Sequence, residues 1–105
     1  MENIKNKFTI FIDMDGVLCN FDKAKEALPK EQQGRPDLHI DFSKLEPMPD
    51  AIESVFKLER MGHDVFIAST PPWNNPEAWG QKRDWIDKNI PALKRRVFLT
   101  HRKDL

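Results

Sequence analysis

Residues Lys7 to Val17 read KFTIFIDMDGV, and the break between Ile12 and Asp13 decides the fold. A nearly continuous apolar and β-branched run that stops abruptly at a polar residue is the pattern of a strand buried on both faces of a parallel sheet. Gly16 supplies a turn directly after it. Further on, MDGVLCNFDKAKEAL continues into a short helix before Pro29, and the polar, breaker-rich EQQGRPDLHID reads as a surface insertion. Pro49 opens a helix whose Ile52, Val55, Phe56, Leu58 and Met61 share one broad stripe, ended by Gly62. DVFIA at Asp64 to Ala68 is a second buried strand, followed by Ser69, Thr70 and the loop PPWNNP. Glu77 to Asn89 predicts a second amphipathic helix, and RVFLT at Arg96 to Thr100 a third short strand. This alternation predicts a three-layer α/β fold whose parallel strands are joined by right-handed crossovers.

Composition narrows the partners. The chain has 105 residues, enough for one domain. Lys plus Arg and Asp plus Glu both number 17, so no global field draws the protein to a nucleic-acid polymer or an acidic membrane. An anionic ligand has to be held locally. The single cysteine, Cys19, has no internal disulfide partner and reads as a small buried hydrophobe in a reducing compartment. MENIKNK has no long apolar run behind its lysines, and no stretch reaches the length of a membrane span, so the expected location is cytoplasmic.

In open α/β sheets ligands bind beyond the C-terminal ends of the strands. Asp13 and Asp15 follow the first strand, Ser69 and Thr70 the second, and Lys103 comes shortly after the third. Two carboxylates on alternate residues repel each other unless a cation or proton lies between them. A hard divalent ion with oxygen ligands, Mg²⁺, answers that repulsion. Asp-x-Asp-Gly is also good turn chemistry, Thr70 is also a turn residue before Pro71, and Lys103 is also a solvated lysine near the chain end. His39, His63 and His101 lack the spacing of a metal cluster, although His101 stands two residues before Lys103.

DMDGVLCNF at Asp13 to Phe21, LEPMPDAIESV at Leu45 to Val55, DVFIASTPPW at Asp64 to Trp73 and VFLTHRKDL at Val97 to Leu105 together resemble the haloacid dehalogenase (HAD) superfamily. The finer resemblance is to its 5'(3')-deoxyribonucleotidase branch, the deoxy-pyrimidine 5'-nucleotidases of type C. It implies a Rossmann-like HAD core over residues 1–105, with 20–46 as a short flap or cap insertion. It also implies a Mg²⁺-dependent phosphomonoester hydrolase acting on nucleoside (deoxy)monophosphates. Asp13 would be the nucleophile and Asp15 the general acid and base, both at the metal. Ser69, Thr70 and Lys103 would hold the phosphate, and Phe21 and Trp73 would meet the base. Phe21 is equally a flap-to-core packing residue, and Trp73 a ring packed on a neighbouring loop.

The sequence departs from that branch in two places. No acidic pair of a fourth motif occurs before Leu105, so the core is expected to be incomplete at its C-terminus and the first strand to lie at a sheet edge covered by another chain, as in a homo-oligomer. The insertion from Ala24 to Phe42 is too short for a helical cap, which leaves the site open. Two alternatives remain within that resemblance. One is a HAD phosphatase for another small phosphorylated metabolite, and the other a HAD domain that binds without turnover.

Overall fold

A computed structural model describes residues 6–104. Its elements run β1 (Thr9–Ile12), α1 (Phe21–Glu26), α2 (Ala51–Arg60), β2 (Asp64–Ser69), α3 (Glu77–Asn89) and β3 (Val97–Leu99), with short 3₁₀ turns between them. The three strands form one parallel sheet in the order β1-β2-β3, with Thr9 opposite Asp64 and Ile67 opposite Val97. This is the parallel α/β arrangement that the alternation of strands and helices predicts.

Local chemistry accounts for the boundaries. Asn20 caps α1 by accepting from the Lys23 N–H through its side chain. Gly62 ends α2 with φ at 92°, a left-handed conformation that costs glycine little, and its N–H closes on the Glu59 carbonyl. The insertion folds into three 3₁₀ turns at Lys30–Gln32, Pro36–Leu38 and Phe42–Lys44. The last of these docks on α3, where the Phe42 N–H donates to Gln81 Oε1 at 3.0 Å.

One face of the sheet carries the core. Val65 and Ile67 of β2 pack with Val55 of α2, with Trp85 and Ile86 of α3, and with Met14 and Leu18 of the loop after β1. The opposite face is aromatic and open. Phe11, Phe66 and Phe98, one from each strand, meet with ring centroids 5.6 to 5.7 Å apart. Phe11 remains 58 % exposed and Phe98 49 %. The expectation that β1 is buried on both faces is therefore corrected: its residues alternate between exposed and half-buried. An apolar run does not distinguish a strand covered on both faces from an edge strand with aromatics on an open face. Among the described residues the helices supply one covering layer, on the Val65 and Ile67 side.

Trp85 is fully buried and donates from Nε1 to the Leu45 carbonyl at 2.7 Å, which ties α3 to the segment before α2. Trp85→Phe keeps most of the apolar volume but leaves that buried carbonyl without a donor. It should cost about 2 kcal/mol, read as a lower urea midpoint with an unchanged denaturant slope.

Candidate active site at the strand ends

The loop after β1 is built around Met14. Its carbonyl accepts from the N–H groups of Leu18 at 2.8 Å and Cys19 at 2.9 Å, and its side chain is fully buried. Gly16 makes the turn with φ at 78°. With Met14 anchored inward, its neighbours Asp13 and Asp15 are both left on the accessible side of the loop. The LEPMP segment straps the loop down, because Met48 donates to the Leu18 carbonyl and Asn20 to the Glu46 carbonyl.

Each carboxylate has its own lysine. Asp13 Oδ1 pairs with Lys103 Nζ, which arrives from the segment after β3. Asp15 Oδ2 accepts from Lys82 Nζ at 2.8 Å, and the same ammonium donates to Ser69 Oγ at 2.6 Å. Lys82 has no exposed surface and sits 5.0 Å from the centre of the Phe42 ring. One buried cation thus joins the loop after β1 to the end of β2, with the docked insertion turn against it. The Thr100 N–H donates to the Ser69 carbonyl and brings the segment carrying Lys103 alongside. Asp13, Asp15, Ser69 and Lys103 accordingly gather at the C-terminal edge of the sheet.

The remaining candidates are distributed around this centre. Thr70 is exposed, next to buried Ser69. Phe21 stacks on Phe42 at 6.0 Å and packs against the core. Trp73 is 75 % exposed and meets His101 edge-on at 5.5 Å, while Trp79 lies 5.8 Å from the same imidazole. His63 accepts from the Phe8 N–H at the other end of β1, and His39 is an exposed turn residue. A cavity of about 680 Å³ opens beside Asp13 and Lys103, lined by Phe11, Ala68, Phe98, Thr100 and Arg102. It does not reach Asp15, Ser69 or Lys82.

Lys82 is the residue that sequence reading misses, because a lysine in an amphipathic helix ordinarily belongs to the solvated face. A signal was present. Lys82 stands four residues after Ala78 and three before Trp85, inside the buried stripe of α3.

For Mg²⁺, the oxygen donors of Asp13 and Asp15 suit a hard cation. Among the described residues no group of three or more His, Cys, Asp or Glu forms a metal cluster. The mutual repulsion of the two carboxylates is offset here by Lys103 and Lys82.

Cys19 is fully buried beneath this site. Burial first, and then the Asp15 carboxylate, push its thiol up from 9.0 to about 12, with Lys82 acting the other way. A group whose pKa is raised in the folded state makes folding less favourable as pH climbs from the unfolded value toward the folded one. The loss falls between pH 9.0 and about 12. Iodoacetamide at pH 8 should leave Cys19 unmodified in the native protein and alkylate it in urea. Rapid native labelling would show the thiol to be accessible.

The family described as 5' nucleotidase, deoxy (pyrimidine), cytosolic type C protein matches residues 35–105. A protein of Vibrio phage KVP40, described as "Putative 5'(3')-deoxyribonucleotidase", is 31 % identical over 106 residues, which cover 95 % of this chain. The chain spans 62 % of that relative's length. The class C acid phosphatase of Bacillus anthracis shares the fold at a TM-score of 0.59 and 15 % identity, over 95 % of this chain and 43 % of that one. A second structure of the same phosphatase, with tungstate bound, superposes at 0.58. With more than half of its residues matched, and with a relative that also spans the Asp13 loop, the chain belongs to the deoxy-pyrimidine, cytosolic type C 5'-nucleotidase family.

Proposed function

We propose that this chain carries the nucleophile and phosphate cradle of a phosphomonoester hydrolase acting on nucleoside (deoxy)monophosphates. The observation that supports this most is the pair of carboxylates on one loop, each matched to a lysine from a different element. Asp13 keeps an exposed side chain. Its free carboxylate oxygen attacks phosphorus, the bond from phosphorus to the ester oxygen breaks, and Asp15 gives a proton to the departing sugar oxygen. Asp15 then takes a proton from water as that water attacks the aspartyl-phosphate, which releases inorganic phosphate and restores Asp13.

The cations and hydroxyls carry the electrostatics. An anionic nucleophile approaches an anionic phosphate only where positive charge offsets both. Lys103 supplies it at Asp13, and Lys82 behind Asp15. Ser69 Oγ accepts from Lys82, so its own O–H remains free to donate to a phosphate oxygen. Thr70, one residue on, offers a second hydroxyl. Bound Mg²⁺, held by Asp13 and Asp15, would add charge on the phosphate oxygens. With few protein ligands, its affinity would depend on substrate and water. Trp73 offers an exposed ring for a base, whereas Phe21 is committed to Phe42.

Phosphate release from deoxynucleoside monophosphates in Mg²⁺ is the direct test. Asp13→Asn should reduce it to background with an unchanged circular dichroism spectrum, because an amide is too weak a nucleophile to form the acyl-phosphate. Ser69→Ala should raise KM by about 10- to 100-fold, the cost of a hydrogen bond to a charged group. Normal turnover by Asp13→Asn would rule out the covalent route.

A further inference from the structure

Trp73 is the most exposed large hydrophobic side chain among the described residues, yet its loop is restrained. The loop leaves β2 through Pro71, which is fully buried, and Pro72 and Pro76 fix two more backbone angles. Asn75 ties it to the insertion, donating from Nδ2 to the Asp37 carbonyl at 2.9 Å. From the segment after β3, His101 meets the Trp73 ring edge-on at 5.5 Å and lies 5.8 Å from Trp79 of α3, tilted by 32°. Two elements thus hold one exposed ring.

Burial does not account for this arrangement, because a ring 75 % exposed gains little from leaving water. A π face set in place before its ligand arrives does account for it, since the loop then needs no ordering on binding. The cluster also stands next to the groups assigned to the phosphate. Trp73 follows Ser69 by four residues, and His101 precedes Lys103 by two, a span of at most roughly 7 Å. The Thr100 N–H on the Ser69 carbonyl keeps the two segments side by side. Phe21, by contrast, is stacked on Phe42.

We propose that His101, in contact with both Trp73 and Trp79, is a positioning residue that sets the Trp73 ring as the stacking face for the base of a bound nucleotide. The cluster thereby favours nucleoside monophosphates over base-free sugar phosphates, which share the phosphate but have nothing to stack. Every base has a π face, so the preference is for a base rather than for one base. This placement rests on the hydrolase reading, which supplies the position of the phosphate.

Binding and turnover test it separately. In Asp13→Asn with Mg²⁺, deoxythymidine monophosphate should quench the tryptophan fluorescence saturably and deoxyribose 5-phosphate should not. Adding Trp73→Phe should abolish that change. Adding His101→Ala should weaken nucleotide binding by about 10-fold, within the worth of stacking one base on an aromatic ring, and His101→Phe, which keeps an aromatic edge, should restore it. With Asp13 intact, His101→Ala should lower the ratio of kcat/KM for the nucleotide to that for deoxyribose 5-phosphate by the same factor, through KM rather than kcat. Quenching by the nucleotide without phosphate release from either compound would defeat the hydrolase reading and still support the stacking face. Phosphate release with a ratio that His101→Ala leaves unchanged would overturn the proposal and spare the hydrolase reading. Absence of quenching by the nucleotide, or equal quenching by deoxyribose 5-phosphate, would overturn it as well.

Discussion

The buried ammonium of Lys82 is the interaction on which the rest of the site depends. A lysine without solvent contact has to find its partners inside the protein, and this one finds Asp15 on the loop after β1 and Ser69 at the end of β2. Those two positions are far apart in sequence and meet only because β1 and β2 are parallel neighbours in register. The Phe42 ring closes another side, which draws the insertion into the same arrangement. Sheet topology, helix stripe and insertion docking thus meet at one nitrogen.

That arrangement gives the two aspartates different settings although they stand two residues apart. Asp13 lies beside an open cavity and a lysine that is itself partly exposed. Asp15 is held from behind by a cation that water does not reach, which limits the orientations its carboxylate can take. These settings suit the proposed roles, since a group that attacks needs access and one that delivers and collects a proton needs a fixed direction. The loop provides both because Met14, between them, is locked into the core.

Much of this was legible in the sequence. Hydrophobic runs ending in Asp13, Ser69 and the segment before Lys103 marked strand ends, and their common edge followed from the crossover rule. The helix from Glu77 to Asn89 matches its predicted limits, since Pro76 and Pro91 bracket it. Lys82 escaped because its residue type argues for solvent while its position in the helical repeat argues for the core. The openness of β1 escaped for a related reason. Phe11 counts as hydrophobic whether its ring faces a helix or lies on an uncovered sheet with Phe66 and Phe98. Hydrophobicity reports what a side chain prefers, and only the packing reports what it meets.

The role of Lys82 can be measured by a double-mutant cycle in urea unfolding, with Asp15→Ala, Lys82→Met and the pair together. Removing Asp15 strands a buried cation, a change that costs about 3–5 kcal/mol. Removing Lys82 leaves a carboxylate that can reach water, with an apolar side chain beside Phe42. Asp15→Ala should therefore be the more damaging single change, and the double variant should lose clearly less than the sum of the two. Losses that add within about 0.5 kcal/mol would show the two residues to be independent and would contradict the claim that this buried pair holds the site together.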